Sequence, residues 1–206
     1  YKLTEEKQKQ LSQQIHAESK RLARMIQTYL DVERLSAGQM QLKREPFGIA
    51  FVVGQCIDRV RPLAERKKIL IENGDLADAI IEGDLELMEY AVYNLLTNAV
   101  KYSPADTCVT VSCEWSDGAV AVAVRDQGMG MSEEDVKRIG EKFFRTKRAE
   151  QSGEAGTGIG LSIVRQIVEH HGGKLEVTSS LGKGSCFTMR VPAQVSSASP
   201  LPEMEK

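Results

Sequence analysis

Residues 4–37 contain no glycine or proline before the final alanine, and Leu11, Ile15, Leu22, Ile26 and Leu30 recur at steps of four and seven. With Met25, Tyr29 and Val32 beside them they form the apolar stripe of one long amphipathic helix. A stripe of that length does not stand in water alone and calls for a partner helix. Gly38 offers a stop, and Lys43-Arg44-Glu45-Pro46 reads as a linker. Beyond Phe47 the texture changes. Residues 50–67 have helical spacing, 69–71 and 79–81 read as short strands, and 84–102 as a second strong helix. The alternating runs 108–115 and 119–125, joined by Ser116-Asp117-Gly118, predict a hairpin. Ser132-Glu133-Glu134-Asp135 has the form of a capping box. A polar, glycine-bearing stretch fills 140–158, a helix runs from about Thr157 to Gly172-Gly173, and 174–179 with 185–191 form a last hairpin. Residues 193–206 lack periodicity and are expected to be a flexible tail. The fold expected is α+β: a helical arm, then helices against a mostly antiparallel sheet. The boundaries expected are 1–45, 46–192 and 193–206.

Composition changes this picture little. The 206 residues are 41% hydrophobic, enough for a real core, and Lys+Arg 27 against Asp+Glu 29 leaves a net charge of -2. No global basic excess points to nucleic acid. No apolar run approaches the ~18 residues of a membrane span, so no membrane contact is expected from this chain. Cys56, Cys108, Cys113 and Cys186 form no CxxC pair; the last three sit in strand-like runs that suit buried thiols, and a reducing cytoplasm fits best.

Three stretches carry chemistry. On the helix 84–102, Asn94, Asn98 and Lys101 fall at i, i+4 and i+7 on one face, flanked by Tyr102, while Val92, Leu95, Leu96 and Ala99 occupy the other. Amide oxygens suit a hard cation and an ammonium suits phosphate. Taken alone, the row reads equally well as the wet face of an ordinary helix. In Arg125-Asp126-Gln127-Gly128-Met129-Gly130 a carboxylate ends a strand before two glycines, placed either to accept from an exocyclic amine or simply to cap a turn. In Gly153-Glu154-Ala155-Gly156-Thr157-Gly158-Ile159-Gly160-Leu161 alternate glycines expose backbone N–H groups just before a helix N-terminus, a setting for anionic phosphate. It has neither the dinucleotide-binding spacing nor that of a P-loop, and no H-R-D loop exists.

Taken together, these stretches resemble the sensor histidine kinases of two-component systems. Asn94-Leu-Leu-Thr-Asn98-Ala-Val-Lys101-Tyr102-Ser103 is similar to their N box, and Asp126-Gln-Gly-Met-Gly130 to their first glycine box. Glu141-Lys-Phe143-Phe144-Arg145 resembles the F box, Gly156-Thr157-Gly158-Ile159-Gly160-Leu161 the second glycine box, and Gly182-Lys-Gly184-Ser185-Cys-Phe187 the closing glycine motif. The match runs over residues 47–192. The arm, through Leu30-Asp31-Val-Glu-Arg34-Leu35 to Glu45-Pro46, is similar to the second helix of the family's dimerisation and phosphotransfer hairpin.

The resemblance implies a two-layer α/β sandwich of the histidine kinase/gyrase ATPase class that binds ATP with Mg²⁺. By carry-over Asn98 ligates the metal, Asn94 and Lys101 hold phosphates, and Tyr102 lines the nucleotide. Asp126 bonds the adenine amine with Ser185 helping through water, and Gly128 and Gly130 shape that pocket. Gly156, Thr157, Gly158, Ile159, Gly160 and Leu161 wrap the triphosphate. Residues 140–155 form a mobile lid, in which Arg145 is a γ-phosphate contact while Phe143 and Phe144 pack the lid base onto the core. Asn94, Lys101 and Arg145 are the residues implied for catalysis. The family's H-[ED]-x-[RK] acceptor motif does not occur in the chain. His16 is followed by Ala17-Glu18-Ser19, and His170 and His171 end a helix, where an imidazole favours the dipole. The acceptor is therefore expected on a helix preceding Tyr1. A response regulator receiver domain and a homodimer of a longer, cytoplasmic or membrane-anchored parent are the partners implied. Two other functions compete: a gyrase-type ATP hydrolase or clamp, and a non-catalytic nucleotide-binding scaffold. The former carry a glutamate one turn before the metal-ligating asparagine; here that place is Asn94, which is no base.

Overall fold

A computed structural model of the chain describes residues 4–39, 41–77 and 79–195. The chain divides into two compact units, 1–41 and 42–206. The first is α1, Glu5–Ser36, a single 32-residue helix. Leu11, Ile15, Leu22, Ile26 and Leu30 stand exposed along it.

The second unit opens on β1, Glu45–Gly48, so Glu45 and Pro46 are not a plain linker. α2 (Ile49–Arg66), β2 (Leu70–Leu76), β3 (Ala79–Gly83), α3 (Leu85–Tyr102), β4 (Cys108–Ser116) and β5 (Ala119–Arg125) follow. Then come α4 (Glu133–Arg138), α5 (Lys147–Gln151), α6 (Gly160–His170), β6 (Lys174–Ser179), β7 (Ser185–Pro192) and β8 (Gln194–Val195). Two sheets result: a small antiparallel one in the order β1-β3-β8, and a five-stranded one in the order β2-β4-β5-β7-β6, antiparallel except for β2 against β4. Gln194 and Val195, expected in the tail, pair with Ile80 and Ala79. Residues 196–206 lie outside the described residues. Asp117 and Gly118 both take positive φ (51° and 76°), the two-residue turn that the β4–β5 twist favours.

Alternation along the strands sends Val109, Val111, Val122, Val124, Phe187 and Met189 inward. The helices meet them with Val53 and Ile57 of α2, Leu95 and Leu96 of α3, and Ile163 and Ile167 of α6. Each such side chain stabilises the fold by about 1.5–3 kcal/mol, so this layer fixes where α3 and α6 stand on the sheet. The free thiols of Cys56 and Cys113 are buried, and burial pushes them up to about 11 and about 12.

His171 stands at the end of α6 as expected, but not as an imidazole held there by the helix dipole. It is 4% exposed, wedged so closely beneath Gly83 that a Cβ there would overlap its ring. Its Nε2 accepts from the backbone N–H of Asp84 at 2.9 Å, so Nδ1 carries the proton that reaches Ile167 O at 2.7 Å. The neutral ring, not a dipole-stabilised cation, joins the end of α6 to the start of α3. Burial lowers its pKa from the ordinary 6.5, outweighing the raising effects of the Ile167 bond and of Asp84. Below 6.5 the unfolded chain takes up a proton that the folded one refuses, so stability falls as pH drops through that value. Thermal melts from about pH 7.5 to about pH 5.5 should show a loss that a His171→Gln variant lacks. Parallel pH slopes for the two proteins would refute this assignment.

Candidate functional site

The site is built on α3. Asp84 caps it by accepting from Leu87 N at 3.2 Å, which sets its starting register. Val92, Leu95, Leu96 and Ala99 are buried, so Asn94, Asn98, Lys101 and Tyr102 come up half-buried on the far face. Asn98 Nδ2 donates to Asn94 Oδ1 at 3.0 Å. That bond turns the amide of Asn98 so that its own Oδ1 points away from Asn94, a hard oxygen donor fit for a small divalent cation.

The glycine loop closes over this face. A Cβ on Gly160, the first residue of α6, would stand 2.6 Å from Asn94 Nδ2, and one on Gly156 would stand 2.9 Å from Lys101 Nζ. The N-terminus of the 11-residue α6 thus abuts the asparagine row with its unpaired backbone N–H groups. Ile159 is its half-buried N-cap residue, Thr157 is exposed, and Leu161 lines a mixed hollow with Ile139, Arg165, Val177 and Phe187.

The opposite end of the face meets β5. Asp126, 6% exposed, accepts at Oδ1 from Gly128 N (2.8 Å) and Ser185 N (3.1 Å). Both donors fall on one oxygen, which leaves Oδ2 to accept from a ligand amine. Burial raises the Asp126 carboxyl above its ordinary range, and the two N–H groups pull the other way. A Cβ on Gly128 would stand 2.7 Å from Tyr102 O, so this loop presses directly against the end of α3. Gly130 lies against Ser180 with φ +60°. Ser185 Oγ contacts Ser179 Oγ at 2.9 Å, and Ser179 accepts from Met131 N at 2.8 Å. Sequence gives no signal for Ser179, a serine at the end of a strand.

The lid differs from expectation in two places. Phe143 does not pack on the core: it is 68% exposed at φ +65°, with its N–H donating to Gly158 O at 3.0 Å. Phe144 is half-buried, with the Arg138 guanidinium 4.3 Å from its centroid. The polar stretch also contains a short helix, α5, capped by Thr146. Arg145 donates to Ala149 O (2.8 Å), Glu154 O (2.7 Å) and Gly156 O (3.1 Å). Lys101 Nζ bonds Tyr102 Oη at 3.1 Å and also Ala155 O. The two cations expected to meet phosphate therefore meet lid carbonyls. His16 is exposed on α1, and His170 ends α6, on the order of 15 Å from Gly160 at 1.5 Å per residue.

The family described as histidine kinase-, DNA gyrase B- and HSP90-like ATPase matches residues 83–195. Among curated proteins, the sensor-like histidine kinase SenX3 of Mycolicibacterium smegmatis is 32% identical over 184 residues, covering 89% of this chain and 48% of its own length. Among solved structures, the mycobacterial sensor histidine kinase MprB superposes with TM-score 0.65 at 30% identity, over 74% of this chain and 99% of that one. Full-length ShkA, solved in complex with AMPPNP, superposes with TM-score 0.76 at 27% identity, over 98% of this chain and 42% of that one. The chain spans about half the length of the SenX3 relatives it matches (48% and 46%).

Proposed function

The chain belongs to the histidine kinase-, DNA gyrase B- and HSP90-like ATPases, as the ATP-binding catalytic core of a sensor histidine kinase, and from that premise we propose how it works. It binds MgATP between α3, the Asp126 loop and the glycine loop, and presents the γ-phosphoryl to a histidine on another helix for relay to a response regulator. The observation that carries this reading is the row Asn94–Asn98–Lys101, with Gly160 and Gly156 close above the Asn94 amide and the Lys101 ammonium.

In this reading Asp126 Oδ2 accepts from the adenine amine, and the buried setting favours that neutral donor over water. Asn98 Oδ1 holds Mg²⁺, with Asn94 setting the orientation of the amide. The ion, when bound, offsets charge on the phosphate oxygens. Lys101 and the N–H groups of α6 hold the triphosphate, so that the residues position rather than react. Asn94 has no basic oxygen with which to activate water, which favours transfer over hydrolysis. Arg145 turns from the lid to the γ-phosphate. Residues 1–45 serve as the second helix of a dimerisation and phosphotransfer hairpin, whose exposed stripe takes the first helix and a second copy of the chain.

The test is [γ-³²P]ATP with Mg²⁺, first with the chain alone and then with a domain supplying an acceptor helix. The chain alone should bind nucleotide and take no acid-labile label, and the added helix should become labelled. Release of inorganic phosphate without transfer would favour the hydrolase, and label on the chain lost in His16→Gln would place the acceptor here.

A further inference from the structure

Lys67, the C-cap residue of α2, belongs to none of the motifs. Its ammonium donates to Lys101 O at 2.6 Å and to Val100 O and Ser103 O at 3.4 Å each. It therefore sits on the last carbonyls of α3, where a cation answers the helix dipole. The same ammonium is 3.0 Å from Glu154 Oε1 in the lid.

One side chain thus grips both the peptide of Lys101 and the strip that covers Lys101. Three cations act on residues 154–156: Lys67 on the Glu154 carboxylate, Lys101 on Ala155 O, and Arg145 on Glu154 O and Gly156 O. Two of them are cations a triphosphate would need, and here they are taken by carbonyls. A carbonyl yields to a phosphate oxygen, because the phosphate adds a full opposite charge to a hydrogen bond that the carbonyl makes only through its dipole. The Glu154 carboxylate is different. It bears the only charged side chain of the strip, and it is held by a cation that sits on α3 rather than on the phosphate face.

We propose that Lys67 is a positioning residue and that its pair with Glu154 is a latch, holding the lid strip on Lys101 and Arg145 so that nucleotide enters only when the latch opens. The proposal rests on the nucleotide-binding reading of the site. Apparent affinity is the intrinsic affinity scaled by the open fraction. Both partners are about one-third exposed (33% and 35%), so the latch is a modest one. Its loss should change the open fraction by about two- to five-fold, the range of a partly exposed pair.

The experiment is stopped-flow association of a fluorescent ATP analogue with the full chain, alongside amide hydrogen exchange of residues 153–157 without nucleotide. Glu154→Gln should associate about two- to five-fold faster and exchange faster by a similar factor, and the gain should shrink with added salt. Lys67→Arg should behave as the unsubstituted chain. In a Lys67→Met background, Glu154→Gln should add nothing further. Unchanged association and exchange in Glu154→Gln, with nucleotide still bound, would overturn the latch alone. Failure of the unsubstituted chain to bind nucleotide would remove the reading beneath it, and the latch with it.

Discussion

Asn98→Ala is expected to weaken MgATP binding by about 100-fold or more, close to 2.8 kcal/mol, and to leave the melting temperature nearly unchanged. The two halves of this expectation have separate causes. Asn98 is half-buried on the pocket side of α3 and contributes nothing to the layer made by Leu95, Leu96 and Val92. Its bond to Asn94 is worth about 0.5–1.5 kcal/mol, and alanine recovers roughly half a kcal/mol of helix propensity. The ligand side has no such offset. Removing Oδ1 leaves a hard cation one oxygen short and frees Asn94 to rotate away from its partner. Calorimetry with and without Mg²⁺ separates the causes: the loss should appear with MgATP and largely vanish with ATP in chelator. Equal MgATP affinity of the two proteins would remove Asn98 from the site.

The parts of this molecule that were legible in the sequence are those whose partners are close along the chain. Asn94, Asn98 and Lys101 share a face because helical periodicity alone puts them there, and Asp126 is fixed by the end of a strand and the glycines after it. The β4–β5 hairpin and the Ser132 cap are equally local, the cap closing through Asp135 three residues on. What sequence did not reveal depends on distant segments. β1 and β8 have 4 and 2 residues, too few for periodicity, and although 79–81 reads as a short strand, only the meeting of 45–48, 79–83 and 194–195 makes the three a sheet. His171 reads as a helix end until Asp84, 87 positions away, arrives to donate to it. Lys67 and Glu154 are likewise 87 apart. Phe143 carries the signature of a core residue, yet it stands exposed on a segment of positive φ whose backbone pairs with Gly158, 15 positions on. Each correction is a case where tertiary context overrode local pattern.

A large stability effect is expected from the turn that holds Asp126. Gly182 and Gly184 both sit at positive φ, 74° and 83°, where any side chain is strained by about 1–2 kcal/mol. Their surroundings differ. A Cβ on Gly182 meets nothing within 4 Å, whereas one on Gly184 would overlap the Asp126 carbonyl oxygen and stand 2.8 Å from its carbon and 2.9 Å from Gln127 Cα. These are backbone atoms, held by Asp126 N donating to Ser185 O at 2.8 Å and by Cys108 N donating to Gln127 Oε1 at 3.0 Å, so they do not yield as a flexible side chain would. Gly182→Ala should therefore lose only the conformational part. Gly184→Ala should add about 1–3 kcal/mol of overpacking, making roughly 2–5 kcal/mol in all. At ~2–4 °C per kcal/mol, melting should drop by about 2–8 °C in the first variant and by about 4–20 °C in the second. The displacement also moves Asp126 away from Ser185 N, so Gly184→Ala should bind ATP far more weakly at a temperature where it is still folded, while Gly182→Ala binds it normally. Equal melting losses for the two variants would mean that contact with the Asp126 backbone contributes nothing. Normal ATP binding by a folded Gly184→Ala would separate the closing glycine motif from adenine recognition.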